Sequence, residues 1–92
     1  MKIVINSDYG GYCLSDECRQ MLGITSNDRW KDGAYKIRTN PKLIELMETK
    51  GSEWCGGYSS SLKIVEIPDD VDWELQEFDG KEWIAEKHRT WR

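Results

Sequence analysis

The segment from Asn40 to Gly51 specifies its own helix at both ends, and the rest of the chain must fold around it. Asn40 can accept a hydrogen bond from a first-turn amide, and Pro41 stands where a helix has no use for its missing N–H. Gly51 follows just past the last turn, where a left-handed residue closes a helix at little cost. Between these marks, Leu43, Leu46 and Met47, with Ile44 beside them, form an apolar stripe. Glu45, Glu48 and Lys50 face water. A helix with one apolar stripe must bury it against another layer.

Strands supply that layer. Lys2 to Asn6 (KIVIN) is rich in β-branched side chains and reads as the first strand. A short strand is predicted at Ala34 to Arg38. Leu62 to Ile67 is apolar on both faces, as in an inner strand, and Pro68 ends it. Trp73 to Phe78 and Lys81 to Glu86 flank Asp79-Gly80, a strong hairpin signal. Ser15 caps a further short helix, with Asp16 and Glu17 in its first turn and Gly23 at its end. Tyr9-Gly10-Gly11-Tyr12 is a turn, and Ser26 to Gly33 a polar loop carrying Trp30. Gly51 to Ser61 reads as a binding loop carrying Trp54 and Tyr58. The expected fold is α+β, a small antiparallel β-sheet with two α-helices in the order β-α-β-α-β-β-β. A chain of 92 residues has room for one core, so residues 1–92 are expected to form a single domain.

Five tryptophans, at positions 30, 54, 73, 83 and 91, are more than one small core needs. Some build the core, and others are expected at a pocket or a subunit interface, where aromatic anchors concentrate. The net charge of −4 argues against a nucleic-acid polymer as partner, since a phosphate backbone calls for a basic face. Glu66 to Glu82 holds eight acidic residues and one lysine, after which Lys87, His88, Arg89 and Arg92 reverse the sign. Such asymmetry suits self-association, a pocket for a small anion, or an acidic contact surface for another protein.

Cys13, Cys18 and Cys55 form no C-x-x-C pair, and no apolar run reaches the length of a membrane span. The expectation is a cytoplasmic protein with reduced thiols, no membrane partner, no metal and no cofactor. His88 is the sole histidine, and the cysteine spacings fit no zinc finger. A cysteine paired with His88, or the carboxylates Asp69, Asp70, Asp72 and Glu74, could in principle perform catalysis. No local signal orients an imidazole or separates the carboxylate pKa values, so the expectation is no enzyme.

Gly10-Gly11 and Gly56-Gly57 do not match a phosphate-binding fingerprint. The residue types that hold a nucleotide are nevertheless present near predicted strand ends and loops. Trp54, Tyr58 and Trp91 can stack on a base, Arg38 and Arg89 can pair with phosphates, and Asn40, Asp70 and Asp72 can accept from hydroxyls or amines.

Four segments, MKIVINSDYGGYCLSDE, IRTNPKLIELMETKG, LKIVEIPDDVDW and FDGKEWIAEKHRTW, together resemble a group of small bacteriophage and prophage proteins. Within it the chain is similar to the Thoeris anti-defence protein 1 family. That resemblance implies an inhibitor of bacterial immunity in the cytoplasm of the infected host. It would sequester cyclic ADP-ribose isomers, and in some members cyclic oligonucleotides, without degrading them. It also implies homo-oligomers, dimers or hexamers, with pockets near subunit interfaces. Under the resemblance Arg38 and Arg89 bind phosphates, Asp72 meets a ribose or base, and Trp54 or Tyr58 stacks on the base. Asn40 and Trp91 complete the expected ligand-binding set. The competing expectation is an accessory protein that inhibits a host protein through direct contact, by its acidic run and exposed tryptophans.

Overall fold

Strand β1 (Lys2–Asn6) is the axis of the computed structural model, which describes residues 1–25, 29–57 and 60–86. Its side chains alternate between two apolar clusters, so nothing along it from Ile3 to Asn6 is left to solvent. β1 pairs antiparallel with β2 (Leu62–Glu66), Val4 lying opposite Ile64. On one face Val4, Leu62 and Ile64 meet Leu14, Cys18, Leu43, Ile44, Leu46, Met47 and Cys55. On the other, Ile3, Ile5, Val65 and Ile67 meet Trp73, Leu75 and Ile84. Those last three belong to the antiparallel hairpin of β3 (Trp73–Phe78) and β4 (Lys81–Glu86). Helices, a two-stranded sheet and a two-stranded hairpin therefore stack as three layers, and β1–β2 is the middle one. A lone hairpin is marginal in water, and this one is held by its apolar inner face.

The capping signals behave as their chemistry requires. The Ser15 Oγ accepts from the Cys18 amide at 3.1 Å and starts α1 (Asp16–Met21), with Gly23 at φ 74° after its end. The Asn40 Oδ1 accepts from the Lys42 amide at 2.8 Å and starts α3 (Pro41–Lys50). Gly51 closes α3 at φ 92°. In the hairpin, Asp79 and Gly80 both take positive φ, 54° and 91°, as a two-residue turn of the mirror-image type demands.

The fold class is α+β with antiparallel pairing, but two segments differ from their sequence reading. Ala34 to Arg38 is not a strand: it forms a one-turn helix α2 (Tyr35–Arg38), following a 3-10 helix at Arg29–Gly33. Ala34 provides no side-chain cap, so the helix has no start signal, and a single turn is too short to show a period. The Gly51 to Ser61 loop begins with another one-turn helix, α4 (Ser52–Cys55), tied to α1 by the Ser15 Oγ donating to the Trp54 carbonyl at 2.7 Å. The observed order is thus β1, α1, the 3-10 helix, α2, α3, α4, β2, β3, β4. Among the described residues the strands divide into two two-stranded sheets rather than one. Among the described residues, no helix is long and apolar enough to cross a membrane.

Candidate functional site

Among the described residues, no strand pairs with the edge of β1 that faces away from β2. Its polar groups are met by an ion pair. Arg38 donates from Nη1 and Nη2 to the two carboxylate oxygens of Glu82, both at 2.7 Å. The same Nη1 reaches the Val4 carbonyl at 3.2 Å, and Nε reaches the Gly33 carbonyl at 2.5 Å. Glu82 in turn accepts from the Asn6 amide at 2.8 Å. The Arg38 guanidinium lies 4.0 Å from the centre of the Tyr12 ring. Arg38 is only 5% exposed. A planar, forked cation suits this task, since it satisfies a carboxylate and two carbonyls from one position.

Beside this pair opens a cleft of about 310 Å³, lined by Gly33, Tyr35, Arg38, Trp73, Glu74 and Leu75. Its volume lies near the lower end of small-ligand sites. One wall is an aromatic stack: the Tyr35 and Trp73 rings are 4.6 Å apart with an interplanar angle of 18°. Trp73 is buried while Tyr35 is exposed, so the tyrosine ring presents its outer face to a further ring. The buried Trp73 Nε1 has no hydrogen-bond partner. Helical geometry makes this wall possible. Three positions apart on one turn, Tyr35 and Arg38 share a side, whereas a strand would send them to opposite faces.

The expected ligand-binding residues are only partly brought together. Arg38 lines the cleft, but four of its five N–H donors are taken up by Glu82, Gly33 and Val4. Asp72 is exposed just before Trp73. The Asn40 side chain is used as the cap of α3. Trp54 packs against the helical cluster, on the other side of the β1–β2 sheet from Trp73, with the Lys50 ammonium 5.6 Å from its ring centre. Tyr58, Arg89 and Trp91 lie outside the described residues, as does His88. Sequence reasoning missed Tyr35, Trp73 and Glu74 as a group. Trp73 was legible only as a strand residue, and Tyr35 sat in a segment read with the wrong period.

Two of the three thiols, those of Cys18 and Cys55, are placed as core side chains rather than as nucleophiles. Cys18 and Cys55 are wholly buried in the helical cluster. Burial pushes the Cys18 thiol up to about 12, with the neighbouring Cys55 adding to the effect. Burial likewise raises Cys55 above its ordinary value. A buried protonated thiol is inert where a thiolate is required. Among the described residues, no group of three or more His, Cys, Asp or Glu side chains converges as a metal site would require.

No family model, curated protein or solved structure matches this chain.

Proposed function

We propose that this chain is a binding protein that sequesters a cyclic nucleotide signal of the cyclic ADP-ribose class, without turnover, in the cytoplasm of a phage-infected host. The observation that carries the reading is the Tyr35–Trp73 stack in a cleft that Glu74 also lines. A purine laid on the exposed tyrosine face extends the stack, and stacking is worth about 1–3 kcal/mol per base. Glu74 offers an acceptor to an exocyclic amine. The segment-by-segment resemblance to the Thoeris anti-defence protein 1 family supports the ligand class. With Arg38 engaged by Glu82, the phosphate role passes to Arg89. Arg38 instead holds the cleft floor in place. A cleft of this size covers part of such a ligand, which favours a homo-oligomer in which a second copy completes the enclosure.

Isothermal titration with a cyclic ADP-ribose isomer tests this, followed by heating and chromatography of the released ligand. Tight binding with intact release is expected. Tyr35→Ala should weaken binding about tenfold or more, and Trp54→Ala should leave it unchanged. The absence of heat at micromolar protein, or a converted ligand after heating, would sink the reading.

A further inference from the structure

The hairpin turn fixes which main-chain groups of β3 face outward. Asp79 and Gly80 form a turn of the mirror-image type, which closes with a hydrogen bond between Phe78 and Lys81. Hydrogen-bonded and open pairs alternate from there, so Phe78, Gln76 and Glu74 bond across to β4. Trp73, Leu75 and Glu77 lie in the open pairs, and each turns both its N–H and its C=O away from β4. Among the described residues, no strand pairs with that side of β3, and no other hydrogen bond reaches the main chain of Trp73 or Leu75.

That stretch of open edge stands in the cleft. Trp73, Glu74 and Leu75 line it from β3, and Gly33 and Tyr35 line it from the 3-10 helix and α2. A donor and an acceptor side by side, next to an aromatic wall, match a flat heterocycle with an acceptor and a donor on neighbouring atoms. Adenine carries such an edge, and an asparagine or glutamine amide reads it in the same way. Size separates this occupant from an added protein strand. β3 runs for six residues, about 20 Å, and a strand laid beside it would need most of that length. The cleft meets three residues of the edge, about 7 Å, which suits a single flat ring system.

We infer that the open edge of β3 at Trp73 and Leu75 selects the base in the cleft, its N–H and C=O pairing with the ring acceptor and the amine of an adenine-type base. This rests on the reading of the cleft as a nucleotide site, and it makes the main chain the source of base specificity. An amine has two hydrogens, so the contact adds to the one that Glu74 offers.

The test is titration of the isotopically labelled full chain with adenosine, read by nuclear magnetic resonance. Adenosine should move the amide of Trp73 or Leu75 downfield and the Tyr35 ring protons upfield, with saturation in the millimolar range. Adenosine methylated twice on its amine, and purine riboside, which has no amine, should each bind about tenfold or more weakly. Two chains made by chemical ligation carry an ester in place of the Trp73 or the Leu75 amide. Each loses an N–H that bonds nothing within the described fold, so far-UV dichroism should match the parent chain. One of the two should bind adenosine about tenfold more weakly. The inference is overturned if both analogues bind as well as adenosine, or if neither ester chain binds it more weakly. Movement of Tyr35 with both amides still would overturn the edge contact and leave the stacking site standing, whereas no movement at either would remove both. If hydrogen exchange at those amides slows as protein concentration rises, a second copy covers the edge and the inference falls.

Discussion

Arg38 and Glu82 stand 44 positions apart and join three layers through one forked ion pair. Around them Asn6 performs a similar service at the end of β1. Its Nδ2 donates to the carbonyls of Asp8 and Gly80, and its Oδ1 accepts from the Ser61 amide. Both residues lie in segments whose sequence suggests strand or loop, so their value comes from what they meet. A buried ion pair adds little over an apolar pair of similar shape, but removing one partner leaves a bare charge. Arg38→Ala should therefore destabilise the fold by about 3–5 kcal/mol in urea denaturation. Arg38→Met combined with Glu82→Leu should cost less than Arg38→Ala alone. Equal stability of Arg38→Ala and the parent chain would show that the pair is not what closes the β1 edge.

At the scale of elements, the hairpin turn is built against another turn. A Cβ on Gly80 would run into the Gly11 amide nitrogen and come within 2.9 Å of the Gly10 nitrogen. These are backbone atoms, which cannot swing aside. Gly23 has a similar positive φ, 74°, but nothing lies within 4 Å of its would-be Cβ. Gly23→Ala should then cost only the left-handed backbone penalty, about 1 kcal/mol. Gly80→Ala pays that and the clash, and its melting temperature should fall further than that of Gly23→Ala. If the two variants melt together, the hairpin tip does not press on the Gly10–Gly11 turn. The Asp79-Gly80 signal was readable because the turn type demands those residues. Its seat on Gly10–Gly11 was not, since 69 positions separate Gly80 from Gly11 and no local pattern links them.

For the molecule as a whole, the shared strand β1 couples the helical cluster to the hairpin cluster. Titrating a group in one cluster should therefore unfold both. In the native chain burial holds the Cys18 thiol protonated until about 12, against an ordinary value of 9.0. Burial moves the Tyr12 hydroxyl in the same direction from 10.0. Between these ordinary values and the raised ones the native state keeps protons that the unfolded chain has released, so stability falls as pH rises through that window. Below pH 9 the contribution is intact. The melting temperature should decline as pH rises above 9, less steeply in Cys18→Ala. Far-UV dichroism and tryptophan fluorescence should report one coincident transition. Separate transitions would mean that the hairpin melts independently of the helices.

Local chemistry determined much of this protein. The caps of α1 and α3, the strands at Lys2–Asn6, Leu62–Glu66 and Trp73–Glu86, and the Asp79-Gly80 turn are set by residues within a few positions of one another. Tertiary structure alone decided the rest. A one-turn helix such as Tyr35–Arg38 carries no period of its own and exists because Arg38 is pulled onto Glu82 and the β1 edge. The cleft follows from that choice, since only the helical turn sets Tyr35 against Trp73 and beside Arg38. Which tryptophan serves the core and which faces water likewise depended on layer order. Trp73 and Trp83 sit in the same hairpin, and pleat and stacking turn one inward and the other out.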